Sequence, residues 1–465
     1  MHIADQSNDQ LSQVSQSARR SPLTMGLVWV TMITSFPTVL IGVEWFKKGF
    51  SLQQVLVCTL LSCLLLLLYS IPATQLGARS GLGYCALSRT IFGRWGTWLV
   101  TGNLLWVFFA WYGVTAVWMA YALRDFLHVG LSVTLMSVAF AFLMAFNNFF
   151  GFSGVANFAR YFAAPCLIAW VGYTFCKALS IAPATAISEP AHQTFFVALT
   201  TISSFVIGFA AWGNEMDYWK YSKGGVLRSA IPLAVALLIG EIIFPVSGWL
   251  VARVTGIIET GPATTFLNNF SFAGMAIVGV VILAASYFAA NDSNLFGSCL
   301  ALESLRPFKH RVSVTFMAVI GAVIAAFLSV TDSAKTLEVI AALNCILMPT
   351  PTVVMLTEWF LQRKFFQRDW DFSYVPSFAD LPSIRWPATL ALLAGITVGI
   401  ATAGIIPALE PLHVGICPIQ AWLTAAVIYA ILRSFEYASE RSDRQVLAAA
   451  QQESEEAKAV VRTSR

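Results

Sequence analysis

Apolar stretches separated by short polar segments recur along the chain from residue 24 to residue 435. A helix that crosses a bilayer needs about 20 mainly apolar residues. Twelve runs reach that length, near 24–46, 52–73, 96–122, 130–150, 158–178, 194–216, 228–251, 273–299, 313–330, 335–360, 386–406 and 414–435. The pattern therefore predicts an all-α polytopic membrane protein with twelve transmembrane helices. It divides the chain into a polar tail at 1–22, a twelve-span domain at 23–435 and a second polar tail at 436–465. The spans leave only loops and tails, so no soluble domain fits. No small-residue cleavage site follows the first span, which is expected to be retained.

Two spans contain signs of a broken helix. The first carries Pro37 and Gly42 within ITSFPTVLIG, and the sixth carries Gly208 and Gly213 within FVIGFAAWGNEMDYW. Lipid tolerates interrupted backbone only where protein or a cavity satisfies the freed groups. An offset of five spans is odd, so the two breaks run through the membrane in opposite directions. This predicts a five-plus-five inverted repeat, about 24–178 and 194–360, with two additional helices at 386–435 and a central site framed by the breaks. Membrane glycines also serve as packing positions, and the sequence leaves both uses open.

Composition sharpens the membrane reading. Charged residues make up 11% of the chain, against about 25% in soluble domains. The basic residues are unevenly placed. Those assigned to inner segments, with the six from Arg433 onward, number 22, against six in outer segments (Lys47, Lys48, Arg124, Lys177, Arg253 and Lys335). That bias predicts a multi-pass protein of the cytoplasmic membrane with both termini in the cytoplasm. A net charge of +4 gives nucleic acid no electrostatic footprint. The eight cysteines form no CxxC pair and read as helix-packing residues. No GxSxG, HExxH or GxxxxGK[ST] pattern is present, so the chain is not expected to be an enzyme or to hold a metal.

Three groups of residues carry candidate chemistry. The third span, WVFFAWYGVTAVW, concentrates rings at mid-helix, including Phe108 and Trp111, where a flat ligand could stack. The eighth, SYFAANDSNLFGS, places Ser286, Asn291, Asp292, Ser293 and Asn294 close together; such a polar set should face the bundle or a water-filled path. Among the acidic residues, Glu44 and Glu358 stand near basic residues at span ends, whereas Glu215, Glu241 and Asp292 have no basic residue within a turn except toward the sixth-span terminus. These three are candidate coupling sites. The five histidines fall in tails or loops, so a proton relay is expected to be built from carboxylates.

With those segments in view, residues 15–435 resemble the nucleobase-cation symporter family, whose members include cytosine, purine, uracil, thiamine and allantoin permeases. The resemblance rests on GARSGLGYCALSRTIFGRWGTW, FFAWYGV, MDYWKY, ANDSNLF and GICPIQA, in that order. It implies the five-plus-five fold with two further helices, and a substrate ring sandwiched between Trp111 and a sixth-span aromatic, Phe209 or Trp212. It further implies that Ser286 and Asn291 fix the polar edge and that backbone around Phe36 and Pro37 adds hydrogen bonds. Two departures are evident. Phe108 stands where cytosine permeases carry a glutamine, and Ala289 and Ala290 stand where sodium-coupled members carry hydroxyls, which a hard cation prefers as ligands.

The resulting expectation is import of a small planar nitrogen heterocycle by cation symport, with H+ favoured over Na+, through alternating access. The only cofactor expected is the coupling cation; the partners are the substrate and membrane lipid, and a monomer suffices. An amino-acid or organic-cation symporter on the same fold is the alternative, with a polytopic membrane enzyme or receptor more remote.

Overall fold

The computed structural model describes residues 12–439 apart from 307, 331 and 332. Residues 1–11 and 440–465 of the two expected tails lie outside the described residues. Every regular element among those described is helical. The first span is α1 (Pro22–Ile33) and α2 (Phe36–Lys47), bent by 50°. It is followed by α3 (Leu52–Ser80), α4 (Tyr84–Leu127), α5 (Val133–Met144), α6 (Gly151–Phe158) and α7 (Ala164–Ile181). The sixth span is α8 (Phe195–Ala210) and α9 (Glu215–Trp219), followed by α10 (Val226–Leu237), α11 (Phe244–Thr255), α12 (Thr260–Phe272), α13 (Ala276–Leu305) and α14 (His310–Leu328). The chain continues through α15 (Ser333–Leu347), α16 (Pro349–Lys364), α17 (Trp386–Thr402) and α18 (Cys417–Ser439).

Local sequence explains the helix ends. Ser21 accepts the Thr24 amide, with Pro22 at the first helical position. Ser51 and Gln54 form a reciprocal capping box, each side chain bonding the other's amide at 3.1–3.2 Å, which satisfies donors a helix start leaves free. α3 closes at Gly81 in the left-handed region, where only glycine rests without strain.

Among the described residues, nine helices are long and apolar enough to cross a membrane, or ten with the bent first pair. The difference from twelve has identifiable sources. The fourth and fifth expected runs lie within one helical stretch, Val133–Ile181, of 49 residues, interrupted by a 3-10 turn at Phe146–Phe150. The eleventh forms α17, which has only 17 residues. The hydrophobic pattern also passed over two helices. α12 is too short and polar to register as a span, and residues 84–92 form a separate helical arm that meets the third span at a kink on Gly93.

The four candidate break residues divide into two roles. The first break falls at Thr34 and Ser35, just before Pro37, and the sixth at Ala211–Asn214, where Gly213 adopts φ +75°. Gly42 and Gly208 lie within regular helix. A Cβ on Gly42 would sit 1.8 Å from the Pro245 carbonyl oxygen, and one on Gly208 2.2 Å from that of Ala341. These two are close-packing glycines, and Gly248, facing the Val39 carbonyl, is the reciprocal on α11.

Packing places the first span against α10 and α11, and the sixth against α3 and α15, while α13 runs along α4. The two broken spans thereby face one central region from opposite sides. At one margin, Glu189, in the loop after α7, receives a two-pronged bond from Arg253 at 2.5–2.9 Å. That hydrogen bond, together with the guanidinium charge, holds the Glu189 carboxyl below its ordinary value. The stabilisation is therefore present at neutral pH and disappears as pH falls through the lowered value. For a part-exposed pair it amounts to at most about 1 kcal/mol. Glu189→Gln should lower the thermal unfolding midpoint slightly at neutral pH, and that gap should close in acid.

Candidate functional site

The two breaks and the facing surfaces of α4 and α13 line a narrow cavity with about 30 Å³ of open space. Its walls are largely aromatic: Phe108, Trp111 and Trp118 from α4, Phe209 and Trp212 from the sixth span and Tyr287 from α13. Pro37 and Ser35 contribute from the first break, Thr115 from α4, Ala290 and Asn294 from α13, and Asn344 and Met348 from the tenth span. Among the described residues, no Asp, Glu, Lys, Arg or His lines it.

Trp111 and Phe209 meet edge to face, with centroids 5.5 Å apart and planes at 85°. Two faces holding a flat ring between them need about 7 Å, twice a van der Waals contact. The sandwich implied by resemblance is therefore not open in this conformation, and a ligand would turn Phe209 as it enters. Trp212 also borders the cavity and leans on Phe108, with centroids 5.8 Å apart.

Asn344, which the sequence pattern did not single out, organises this wall. Its Oδ1 accepts the Trp111 indole N–H at 3.2 Å, while its amide donates to the carbonyls of Gly208 and Ala211. Thr352 donates its hydroxyl to the Gly213 carbonyl. The tenth span thus supplies partners for carbonyls freed by the sixth break, as a backbone break in lipid requires.

Three residues named from the sequence do not line the cavity. Ser286 is fully buried and accepts the Phe36 amide at 2.6 Å, closing the first break. Phe36 instead stacks on Trp170 at 5.3 Å. Asn291 points behind the wall, donating to the Tyr112 carbonyl at 3.0 Å and accepting from Asn294 at 3.2 Å. The residue at the cavity is therefore Asn294, one helical turn on, with Asn291 holding its amide. Asn294 and Thr115 both line the cavity, and among the described residues the buried Trp212 indole N–H beside them has no hydrogen-bond partner.

The three acidic candidates differ in surroundings. Glu215 is saturated: Oε2 accepts from Tyr69 at 2.7 Å, and Oε1 accepts the amides of Trp212 and Gly213 at 3.1 and 3.2 Å. It caps the sixth break. Asp292 accepts from Asn147 at 2.7 Å and from Asn148, whose carbonyl lies 2.8 Å from His310 Nε2. His310 Nδ1 is in turn 2.8 Å from Glu303, so this histidine, read from sequence as a loop residue, belongs to a carboxylate network between α13 and α14. Glu241 stands apart. It is fully buried in a π-helical turn between α10 and α11, and neither oxygen has a hydrogen-bond partner.

The positions of the two missing hydroxyls are occupied by apolar packing. Ala289 joins Ala163 and Ala285 in a buried cluster against Phe158 and Cys166, and Ala290 forms part of the cavity wall.

Comparison with known proteins agrees with this architecture. The chain is 23% identical to the cytosine permease of Escherichia coli K12 over 414 residues, covering 87% of this chain and 92% of the relative. It superposes on the closed, bromovinylhydantoin-bound structure of Mhp1, a nucleobase-cation-symport-1 family transporter, with a TM-score of 0.72 and 17% identity, covering 92% of this chain and 95% of that one. A substrate-bound, outward-open Na+-coupled sialic acid symporter matches with a TM-score of 0.64 at 12% identity, covering 89% and 90% of the two chains. Residues 13–423 match the family model described as permease for cytosine/purines, uracil, thiamine, allantoin. The resemblance read from the motifs is thereby established: the chain is a multi-pass membrane transport protein, not an enzyme, and belongs to that permease family.

Proposed function

We propose that the protein imports a small, neutral, planar nitrogen heterocycle, such as cytosine, a purine, allantoin, a hydantoin or a pyrimidine vitamin precursor, by proton symport with alternating access. The observation carrying this reading is a cavity walled by aromatic rings in which, among the described residues, every polar lining group is neutral and the Trp212 indole N–H has no hydrogen-bond partner. Neighbouring donors and acceptors on a flat apolar frame are what the edge of such a heterocycle presents. Trp111, Phe209 and Phe108 contact its faces, and Trp212, Asn294 and Thr115 its edge.

The same geometry disfavours an amino acid or organic cation. Transporters with broken helices hold a substrate carboxylate on half-helix N-termini. Here the Phe36 amide is taken by Ser286, and the Trp212 and Gly213 amides by Glu215. No carboxylate lines the cavity to neutralise a cation. Proton rather than sodium coupling is supported by the alanines at the two hydroxyl positions, Ala289 and Ala290, and by the carboxyl of Glu241, which has no hydrogen-bond partner among the described residues. The pairing of the first span with the seventh and of the sixth with the second supports a five-plus-five inverted repeat. We assign both termini to the cytoplasm, and the complete cavity within one chain is consistent with a functional monomer.

A thermal-stability screen of the purified protein tests the substrate class. Heterocycles should raise the unfolding midpoint, because a ligand at 100 times its Kd adds about 2.7 kcal/mol of stability. Aliphatic amino acids and quaternary amines should leave it unchanged; the reverse pattern would remove the proposal.

A further inference from the structure

A second concavity lies on the outside of the bundle, between α3, α16 and α18, with a volume of about 1260 Å³. On α18 it extends from Ile419 to Ala438, about 29 Å at 1.5 Å per residue, which matches the hydrocarbon thickness of a bilayer. Its walls are apolar almost throughout, and among the described residues no acidic side chain lines it. At the end where α16 terminates, the lining includes Arg363 and Lys364, both exposed. Among the described residues neither meets a carboxylate. Arg79 approaches the same end, its guanidinium 5.7 Å from the ring of Trp359, which lines the groove.

We propose that this groove is a binding site for an anionic phospholipid, with acyl chains along α3 and α18 and the phosphate between Arg363 and Lys364. Charge selects this occupant over a neutral lipid. Two unpaired cations beside an apolar groove complement a molecule with one anionic end and a hydrocarbon body. A second copy of this chain would bring the same cations against its own apolar face.

The site is connected to transport through its floor. Tyr69 lines the groove, packs against Trp422 at 4.9 Å, and donates to Glu215, which caps the sixth-span break beside the cavity. Chains filling the groove cover the outer side of that contact and hold Tyr69 in place. The inference is independent of the substrate and the coupling ion, so its failure leaves those readings standing.

The full chain, purified in neutral detergent, should be titrated with phosphatidylglycerol and with phosphatidylcholine, and bound lipid measured by native mass spectrometry. Phosphatidylglycerol should bind more tightly. Each cation near an anionic headgroup contributes about fivefold, so Arg363→Gln with Lys364→Gln should weaken phosphatidylglycerol binding on the order of 25-fold and leave phosphatidylcholine unchanged. An unaltered cooperative unfolding midpoint in the neutral lipid shows that the variant is folded. Equal retention of the two lipids, undiminished phosphatidylglycerol binding by the variant, or cross-linking of two copies through Phe435→Cys would each overturn the proposal.

Discussion

Trp111→Ala is expected to weaken heterocycle binding on the order of 100-fold while leaving the protein folded. A base stacked on an aromatic side chain gains about 1–3 kcal/mol by alanine substitution, and the upper end applies where the ring is shielded from water. Trp111 is 8% exposed, is oriented by Asn344 and has Phe209 across the cavity. Its removal deletes a face that remaining groups cannot replace. Phe209→Ala should cost less, because Phe209 must turn from its edge-to-face position to receive a ligand. Quenching of intrinsic tryptophan fluorescence would suit the wild type, but calorimetry is preferable for comparison because the variant loses a reporter. Unchanged affinity in Trp111→Ala would remove the stacking role.

The contrast between Trp111 and Asn344 shows what could be read from the chain itself. Trp111 was legible because it belongs to a run of rings at mid-helix, away from the interfaces where membrane aromatics usually collect. Asn344 sits in an ordinary apolar run, and its importance arises only because the tenth span packs against the carbonyls exposed by the sixth break. The breaks were legible from Pro37 and Gly213, whose backbone constraints are local. Gly42 and Gly208 resemble break residues in sequence but serve interhelical approach, a property of the partner helix. The same limit applies to Ser286 and Asn291. Their polarity points to α13, but folding sets Ser286 on the first break and Asn291 behind the wall, and brings Asn294, one turn on, to the cavity. His310 reads as a loop residue in sequence because only folding brings it between Glu303 and Asn148.

Glu241→Gln is expected to abolish concentrative uptake while preserving exchange of substrate across the membrane. The side chain is fully buried, with neither oxygen hydrogen-bonded, and an isolated ionised carboxylate in such surroundings is far too costly to persist. The proposed coupling role assigns this group a proton in the conformation seen here. The adjacent Gly240 lies against Ile33 and Thr34, where the first span breaks, so any rearrangement that hydrates this turn also moves the cavity wall. Under the proposed coupling, proton loss would accompany one arrangement of the first span. A glutamine keeps the volume and neutrality of the protonated acid but has no proton to release, so substrate can still be carried in either direction without a driving ion. One charge moved through 100 mV supplies about 2.3 kcal/mol, enough for roughly fifty-fold accumulation; the variant should reach only equal concentrations on the two sides. Proteoliposomes with an imposed proton gradient, assayed alongside counterflow of labelled heterocycle, separate these outcomes. Loss of both activities would indicate a packing role for Glu241, and retention of proton-driven accumulation would move the coupling site to Asp292. Wild-type uptake that instead follows a sodium gradient at fixed pH would exclude proton coupling altogether, because the alanine-filled positions on α13 would then have to be bypassed by a sodium site elsewhere in the bundle.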